Sequence, residues 1–400
     1  MKKLLQINTV ANQGSTGRIV EQIGRLAIQR GWESYIAYGR GTPKSVSNLI
    51  RVGNIFDVQF HAIQTRLLDN HGRASVRATE RLIKTIDHVS PDIIHLHNIH
   101  GYYLNYGVLF NYLAVINRPV IWTLHDCWAF TGHCVFFDYP LCDKWTSHCE
   151  ACPSKRTYPS SFFLDQSKKN FELKRFYFHL PSNLTLVPVS EWLDALLKNS
   201  FLRDVPSQVI HNGVDTTVFQ PSEPDSNSKG KFNILSVANN WSEPRKGLRD
   251  LIELRKRLSD DYSITIVGLN EKEKRYLPDG IIGITRTSNQ IELSRLYSKA
   301  DVFVLPTYED NYPNVIIEAL ASGTPVIVYN TGGCSEALTE KVGVTVRKGD
   351  LAAMVHSIES MRNKPLSKIH CREWALDQLE EGRCYESYFE LYDKVLIHAD

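Results

Sequence analysis

Asp310 and Glu318 bracket seven residues within Asp301–Glu318, a stretch that reads as a buried strand, a polar loop and a helix opening on Pro313 and Asn314. A helix start presents backbone N–H groups without intrahelical partners at the positive end of the helix dipole. The N–H groups around Asn314 and Val315 therefore suit an anion such as a nucleotide phosphate. Glu318, about one turn inside, can accept hydrogen bonds from both hydroxyls of a ribose. Its other role, complementing the helix dipole, needs no ligand; the agreement of the flanking elements favours the ribose. Upstream, Trp241-Ser-Glu-Pro-Arg-Lys-Gly247 follows an apolar strand and leads into a helix, which sets Arg245 and Lys246 at a helix start. A guanidinium fork and an ammonium point charge together match a diphosphate. Elsewhere an Arg-Lys pair is solvated surface; at the carboxyl end of a strand in an open α/β sheet it stands where ligands bind.

The first half of the chain carries a second set. Gly14 and Gly17 precede a helix and let backbone approach a phosphate or sugar with no Cβ in the way; a tight turn with Thr16 as helix cap accounts for the same residues. The glycine spacing departs from the dinucleotide fingerprint, and no acidic residue ends the strand at Ile36–Tyr38, which argues against a dehydrogenase. His125 and Asp126 leave the carboxyl end of the strand Val120–Leu124, where His125 either satisfies a core hydrogen bond or meets a ligand. His95, His97 and His100 surround the end of the strand Asp92–Leu96. His95 and His97 share one face, and the group reads as a polar wall contacting an acceptor, with zinc binding as the alternative. Cys134, Cys142, Cys149 and Cys152 fall within nineteen residues, the last two as Cys-x-x-Cys before Pro153. Four thiolates can close a structural tetrahedral zinc site that orders an insertion over 127–153 and leaves no open position for catalysis. Free thiols in an aromatic-rich loop are the equal alternative, and Cys127, His133 or His148 could substitute as ligands.

These residues need a scaffold, and 400 residues exceed a comfortable single core, so two domains are expected. Apolar content of 42% and charge of 22% fit a globular protein, and a net charge of +2 argues against a nucleic-acid binder. Apolar runs are too short for a membrane span, and Gln6 and Asn8 interrupt the start before a signal-peptide core forms; the expected location is the cytosol, with reduced cysteines. Strands at Leu4–Thr9, Glu33–Tyr38, Asp92–Leu96, Val120–Leu124, Leu184–Val189 and Gln208–His211, with a helix over Thr16–Arg30, make one α/β unit. The polar, Pro- and Ser-rich stretch 220–230 reads as a linker. Beyond it, strands Phe232–Val237, Ser263–Val267, Val302–Leu305, Pro325–Val328 and Val342–Val346 alternate with helices Lys246–Leu258, Gln290–Lys299, Asn314–Ala321 and Asp350–Met361. The expected fold class is α/β: two doubly wound, Rossmann-like parallel sheets, in domains 1–219 and 231–375. Lys168, Lys169, Lys174 and Arg175 among Phe162, Phe163, Phe171, Phe176 and Phe178 form either a basic aromatic helix resting on an anionic membrane or an ordinary amphipathic surface helix. Arg66, Arg73, Arg77, Arg81 and Lys84 add positive charge to the same domain.

The Asp310–Glu318 spacing, the Arg245-Lys246 pair, the first glycine loop and Asn212-Gly213 together resemble the retaining glycosyltransferases of family 4, whose GT-B fold carries a glutamate–seven residues–glutamate signature. Asp310 stands where that family usually has Glu. The resemblance implies a nucleotide-diphosphate sugar donor, of UDP or GDP type, in a cleft between the domains, with Arg245 and Lys246 on its diphosphate and His125 on the transferred sugar. It implies that Asp310 orients donor hydroxyls or stabilises charge at the anomeric carbon. Acceptor would meet the first domain, including His97, His100 and Asp126, and a helical segment over 376–400 would pack back across both domains. It further implies transfer with retention, no cofactor for catalysis, and a glycan acceptor, often lipid-linked, in assembly of a bacterial capsule, exopolysaccharide or O-antigen at the inner face of the plasma membrane. A sugar-nucleotide epimerase of the same fold and a non-enzymatic nucleotide-binding module are the alternatives.

Overall fold

A computed structural model of the chain describes residues 1–222 and 230–397. The chain divides into two compact units, Met1–His211 with the stretch from Tyr385 onward, and Asn212–Cys384. The first is built on β1 (Lys3–Asn8), β2 (Glu33–Tyr38), β3 (Asn48–Arg51), β4 (Ile93–Leu96), β5 (Val120–Leu124) and β6 (Leu184–Pro188), in the order β3-β2-β1-β4-β5-β6. The second is built on β7 (Phe232–Val237), β8 (Tyr262–Val267), β9 (Ile281–Ile284), β10 (Val302–Leu305), β11 (Val326–Asn330) and β12 (Gly343–Arg347), in the order β12-β11-β10-β7-β8-β9. All pairings are parallel. Both orders reverse beside the first strand of the unit, between β1 and β4 and between β7 and β10. There the chain leaves adjacent strands in opposite directions, so a crevice opens beyond their carboxyl ends. The doubly wound α/β class expected from the strand–helix alternation is the fold observed.

Parallel sheets covered on both faces need strands that are apolar throughout, and β4, β5 and β10 are buried at every residue. The helix Gly14–Gln29 buries Ile19, Val20, Ile23 and Ala27 on one face. It begins two residues before Thr16, with Gln13 as its N-cap residue, so Thr16 is not the cap. The helix expected over Lys246–Leu258 is split at Gly247, whose φ is +79°. A Cβ at Gly247 would lie 2.0 Å from the Pro306 carbonyl oxygen, so the close approach of the two loops demands glycine. The strand expected at Gln208–His211 does not form; the neighbouring Ser207 makes only a single bridge to Leu186.

The boundary expected at residue 219 falls instead after His211, because the following residues are tied into the second unit. The Arg372 guanidinium donates to the Phe219 carbonyl at 2.8 Å and to the Thr216 carbonyl at 2.9 Å, and the Ser222 N–H reaches Ser298 Oγ at 2.8 Å. Most of the expected linker, residues 223–229, lies outside the described residues. The final helix, Glu381–Ile397, changes unit at Tyr385.

The interior of the first unit is rich in histidine. The His95 ring bonds to Tyr392 OH at 2.7 Å and to Thr123 Oγ1 at 2.8 Å, and His61 caps the Gly72 N–H at 3.0 Å. Desolvation drives the imidazoles of His61 and His95 down to about 3 and that of His125 to about 4, and pushes His71 and His97 well below the ordinary value. These rings fold neutral, whereas in the unfolded chain they titrate near the ordinary histidine value of about 6.5. Between those limits the unfolded state binds more protons, so stability is full above about pH 6.5. It should fall as pH drops toward about 4, each ring removing up to about 1.4 kcal/mol per pH unit. Thermal unfolding followed across this range should show a steep decline in Tm; a flat profile would contradict neutral burial.

Candidate active site

In the second unit the loops after β7 and β10 meet. Lys246 Nζ lies 2.5 Å from Asp310 Oδ2, and the Arg245 guanidinium donates to the Glu309 carbonyl at 2.6 Å while pairing with Glu243 at 2.7 Å. The backbones are tied as well: the Arg245 carbonyl accepts from the Tyr308 N–H at 2.6 Å and from Thr307 Oγ1 at 3.1 Å. Burial alone would raise the Asp310 carboxyl, but the charges of Lys246 and Arg245 outweigh it and hold the group below the usual carboxylate range. Gly332, at φ +55°, closes the other side, since a Cβ there would sit 1.7 Å from the Asp310 carbonyl oxygen. Asp250 steadies the floor by accepting from Tyr308 OH at 2.9 Å and Tyr329 OH at 2.7 Å.

The helix Asn314–Ala321 starts directly after this loop, as its sequence implied. Asn212 Nδ2 donates to Asn314 Oδ1 at 3.0 Å and so fixes the residue that opens the helix, with Val315 beside it. Glu318 is buried on the next turn and accepts from Tyr297 OH at 3.1 Å. Arg245, Lys246, Asp310, Asn314, Val315 and Glu318 thus belong to one crevice at the switch point of the second sheet. The cations and the helix N-terminus suit an anionic group such as a diphosphate, while the two carboxyl groups can accept hydrogen bonds from hydroxyls.

The second group lies at the carboxyl ends of β1, β4 and β5 in the first unit. Gly14, at φ +64°, has open space where a Cβ would project; Gly17 does not, because a Cβ there would crowd Val10 at 3.0 Å. Gly14 is therefore the residue that leaves backbone accessible, and Gly17 serves helix packing. His125 and Asp126 are half-buried at the end of β5. His97 is buried behind them, bonded to His125 Nε2 at 3.2 Å and to Gln6 at 3.2 Å, so its role is to position His125 rather than to meet acceptor. His100 pairs with Asp126 Oδ2 at 3.0 Å and with Tyr158 OH at 3.2 Å. Burial pushes the Asp126 carboxyl up, but His100 and the Trp128 N–H more than reverse it, leaving the group below its usual range. His125, driven down to about 4 by burial, is neutral near pH 7 and offers hydrogen bonds rather than charge.

Three features escaped the sequence reading. Tyr297 holds Glu318 from a helix elsewhere in the chain, and Gly332 belongs to a turn after β11 whose approach to the Asp310 loop is made only by the fold. His71, packed 5.8 Å from His100 and 5.6 Å from Trp128 between ring centroids, had only its residue type to recommend it. The cysteines do converge: His133, Cys134, Cys142, Cys149 and Cys152 line one small cavity, the Cys134 and Cys152 thiols share a hydrogen bond, and the Gly132 N–H donates to Cys149 Sγ at 3.3 Å. Among the described residues, however, no three His, Cys, Asp or Glu side chains are grouped to hold a metal ion. The basic aromatic helix divides between surface and core, with Lys168, Lys169, Arg175 and Phe176 exposed. In Ser167–Tyr177, Lys174 is buried and donates to the carbonyls of Trp128 at 2.6 Å and Thr131 at 2.9 Å, while Phe171 and Phe178 face the core.

Comparison with known proteins agrees with this geometry. Residues 16–218 match the family described as Glycosyltransferase Family 4, and residues 231–364 match that described as Glycosyl transferases group 1. The chain is 25% identical over 372 residues to a putative colanic acid biosynthesis glycosyl transferase, WcaC, of Escherichia coli (strain K12), covering 88% of this chain and 89% of that protein. Over 263 residues it is 23% identical to the N,N'-diacetylbacillosaminyl-diphospho-undecaprenol alpha-1,3-N-acetylgalactosaminyltransferase of Campylobacter jejuni, covering 59% of this chain and 68% of that one. Among solved structures, the fold is similar to sucrose-phosphate synthase from Thermosynechococcus elongatus, with a TM-score of 0.73 at 15% identity over the full length of both chains. It is also similar to Anabaena Alr3699/HepE in complex with UDP, with a TM-score of 0.69 at 13% identity over 98% of this chain and 100% of that one. The chain belongs to glycosyltransferase family 4 and has the GT-B fold.

Proposed function

We propose that the protein transfers a sugar, with retention of anomeric configuration, from a uridine or guanosine diphosphate sugar to a hydroxyl of a glycan acceptor. The observation that carries the reading is the second-unit crevice, where Lys246 and Arg245 converge on the Asp310 loop at a helix start. In the reaction the bond from the anomeric carbon to the phosphate oxygen breaks and a bond from that carbon to the acceptor oxygen forms on the same face. The acceptor proton passes to the departing phosphate, so no enzymic nucleophile or divalent ion is required. Lys246, Arg245 and the N–H groups around Asn314 and Val315 neutralise the charge that grows on the leaving group. Glu318, aligned by Tyr297, takes the ribose hydroxyls, and Asp310 orients hydroxyls of the donor sugar. Neutral His125, backed by His97, donates to or accepts from the sugar, and His100 and Asp126 with their aromatic neighbours face the acceptor. UDP is the first donor to try, because a similar fold was solved with UDP-glucose.

The names of the relatives support a place in bacterial surface-polysaccharide assembly, and one of them acts on a diphospho-undecaprenol carrier, so a lipid-linked glycan is the proposed acceptor. Zinc held by Cys134, Cys142, Cys149 and Cys152 would be structural. Metal analysis of the purified protein should find it in stoichiometric amount if the thiols are ligands, and finding none would remove it.

The donor site is tested by thermal unfolding with UDP, GDP and ADP. A nucleotide at about a hundred times its Kd should add about 2.7 kcal/mol to the native state. Lys246→Ala or Arg245→Ala should abolish that gain and lower kcat by ~100-fold or more, the cost of removing one preorganised charge-stabilising group. Equal stabilisation of wild-type and variant protein would overturn the assignment.

A further inference from the structure

Two buried donors without acceptors flank one tyrosine near the carboxyl ends of the first sheet. The loops after β1, β2 and β4 are knit together there at Thr9. Its carbonyl accepts from the Gly39 N–H at 3.1 Å and the Arg40 N–H at 2.9 Å, and its hydroxyl donates to the Asn98 carbonyl at 2.9 Å. Tyr102, in the loop after β4, has φ +71°, a left-handed backbone that a bulky residue adopts only under constraint. The Arg40 guanidinium lies 6.0 Å from the centroid of the Tyr102 ring, and the centroid of the His71 ring 5.2 Å from it. Arg40 Nε is buried and has no hydrogen-bond partner. The His71 imidazole, kept neutral by burial, accepts from the Gly101 N–H at Nε2 at 3.4 Å and so carries its proton on Nδ1, a buried atom that also has no partner. Buried donors left unmatched cost stability, and two of them around one strained ring point to a partner from outside the chain.

Charge identifies that partner. Arg40 is half-buried, and among the described residues no carboxylate pairs with it. Asp126, whose charge reaches the Tyr158 hydroxyl together with that of Arg40, is already engaged by His100 at 3.0 Å and by the Trp128 N–H at 2.9 Å. Arg66 brings a second positive charge to bear on Tyr102. A guanidinium held partly out of water without a counter-ion is completed by an oxyanion, which its planar fork can grip through two N–H groups. Beside it, the Tyr158 ring stands 5.9 Å from that of Tyr102 between centroids, and its hydroxyl shares a hydrogen bond with His100 Nδ1 at 3.2 Å. Aromatic faces and a phenol next to the cation suit a sugar that carries the anion.

We infer that Arg40 binds an anionic group of the acceptor, a phosphate or a carboxylate borne by the sugar that lies against Tyr102 and Tyr158. The inference rests on the glycan-acceptor reading and names the charge that acceptor carries. Phosphate would belong to a carrier diphosphate, carboxylate to an acidic sugar of the glycan. Glucose, glucose 1-phosphate and glucuronate are titrated by calorimetry into Arg245→Ala/Lys246→Ala protein, whose second-unit crevice no longer competes for phosphate. One of the two anionic probes should bind at least about tenfold more tightly than glucose, the step that a charge-assisted hydrogen-bonded pair supplies. Adding Arg40→Met should return that probe to the affinity of glucose, and Arg40→Lys should recover part of the loss. Arg40→Met should also keep or raise the Tm, because it removes an unpaired, half-buried charge; a guanidinium serving structure alone would lower it. Tighter binding of glucose 1-phosphate assigns the anion to carrier phosphate, and tighter binding of glucuronate assigns it to an acidic sugar. Only Arg40 differs between the paired proteins and no transfer is measured, so a failed donor or transfer assignment leaves the result unchanged. Binding of neither anionic probe above glucose, undiminished binding after Arg40→Met, or a lowered Tm in Arg40→Met would each overturn the inference.

Discussion

The contact of 2.5 Å between Lys246 and Asp310 is where two chain reversals are made to agree. β7 and β10 run side by side, but the chain leaves them in opposite directions, and a crevice bounded by two diverging loops has no intrinsic width. Its width is set by the pair of charges and by the backbone hydrogen bonds from Tyr308 and Thr307 to the Arg245 carbonyl. Gly247 and Gly332 permit the approach, because a Cβ at either would strike a carbonyl of the opposing loop. Asp310 neutralises Lys246 and holds its ammonium at the crevice, the position from which the proposed diphosphate would share that cation. The helix Asn314–Ala321 gains its position from the same loop, and Glu318 with it.

The first unit solves a different problem with the same topology. At the ends of β4 and β5 it carries uncharged imidazoles instead of cations. Burial keeps His125 and His97 neutral, and the stack from Gln6 through His97 to His125 transmits orientation without charge. Neutral donors and acceptors suit sugar hydroxyls, just as the cations of the second unit suit phosphate. Arg40, the cation proposed to meet the acceptor, follows β2 instead.

How far these features were legible varied with how local their cause is. β10 and the helix after it could be read residue by residue, since continuous burial and a proline-led helix start are written in adjacent positions. β3 and β9 were missed because each is a four-residue, partly exposed edge strand, β3 with polar residues at both ends and β9 interrupted by Gly283. Lys174 read as surface; only the fold supplies the two carbonyls and the Trp128 ring, 3.5 Å away, that make its burial tolerable. Arg245 and Lys246 were recognisable from their position after a strand, whereas their partners depend on loop closure across sixty-odd residues of chain.

A crystal structure of the protein with UDP would test the central claim most directly. The account predicts the β-phosphate within hydrogen-bonding distance of Lys246 Nζ and the Arg245 guanidinium, at the start of Asn314–Ala321, with the ribose hydroxyls on Glu318. A diphosphate bound elsewhere in the chain, with the Lys246–Asp310 contact untouched, would contradict it.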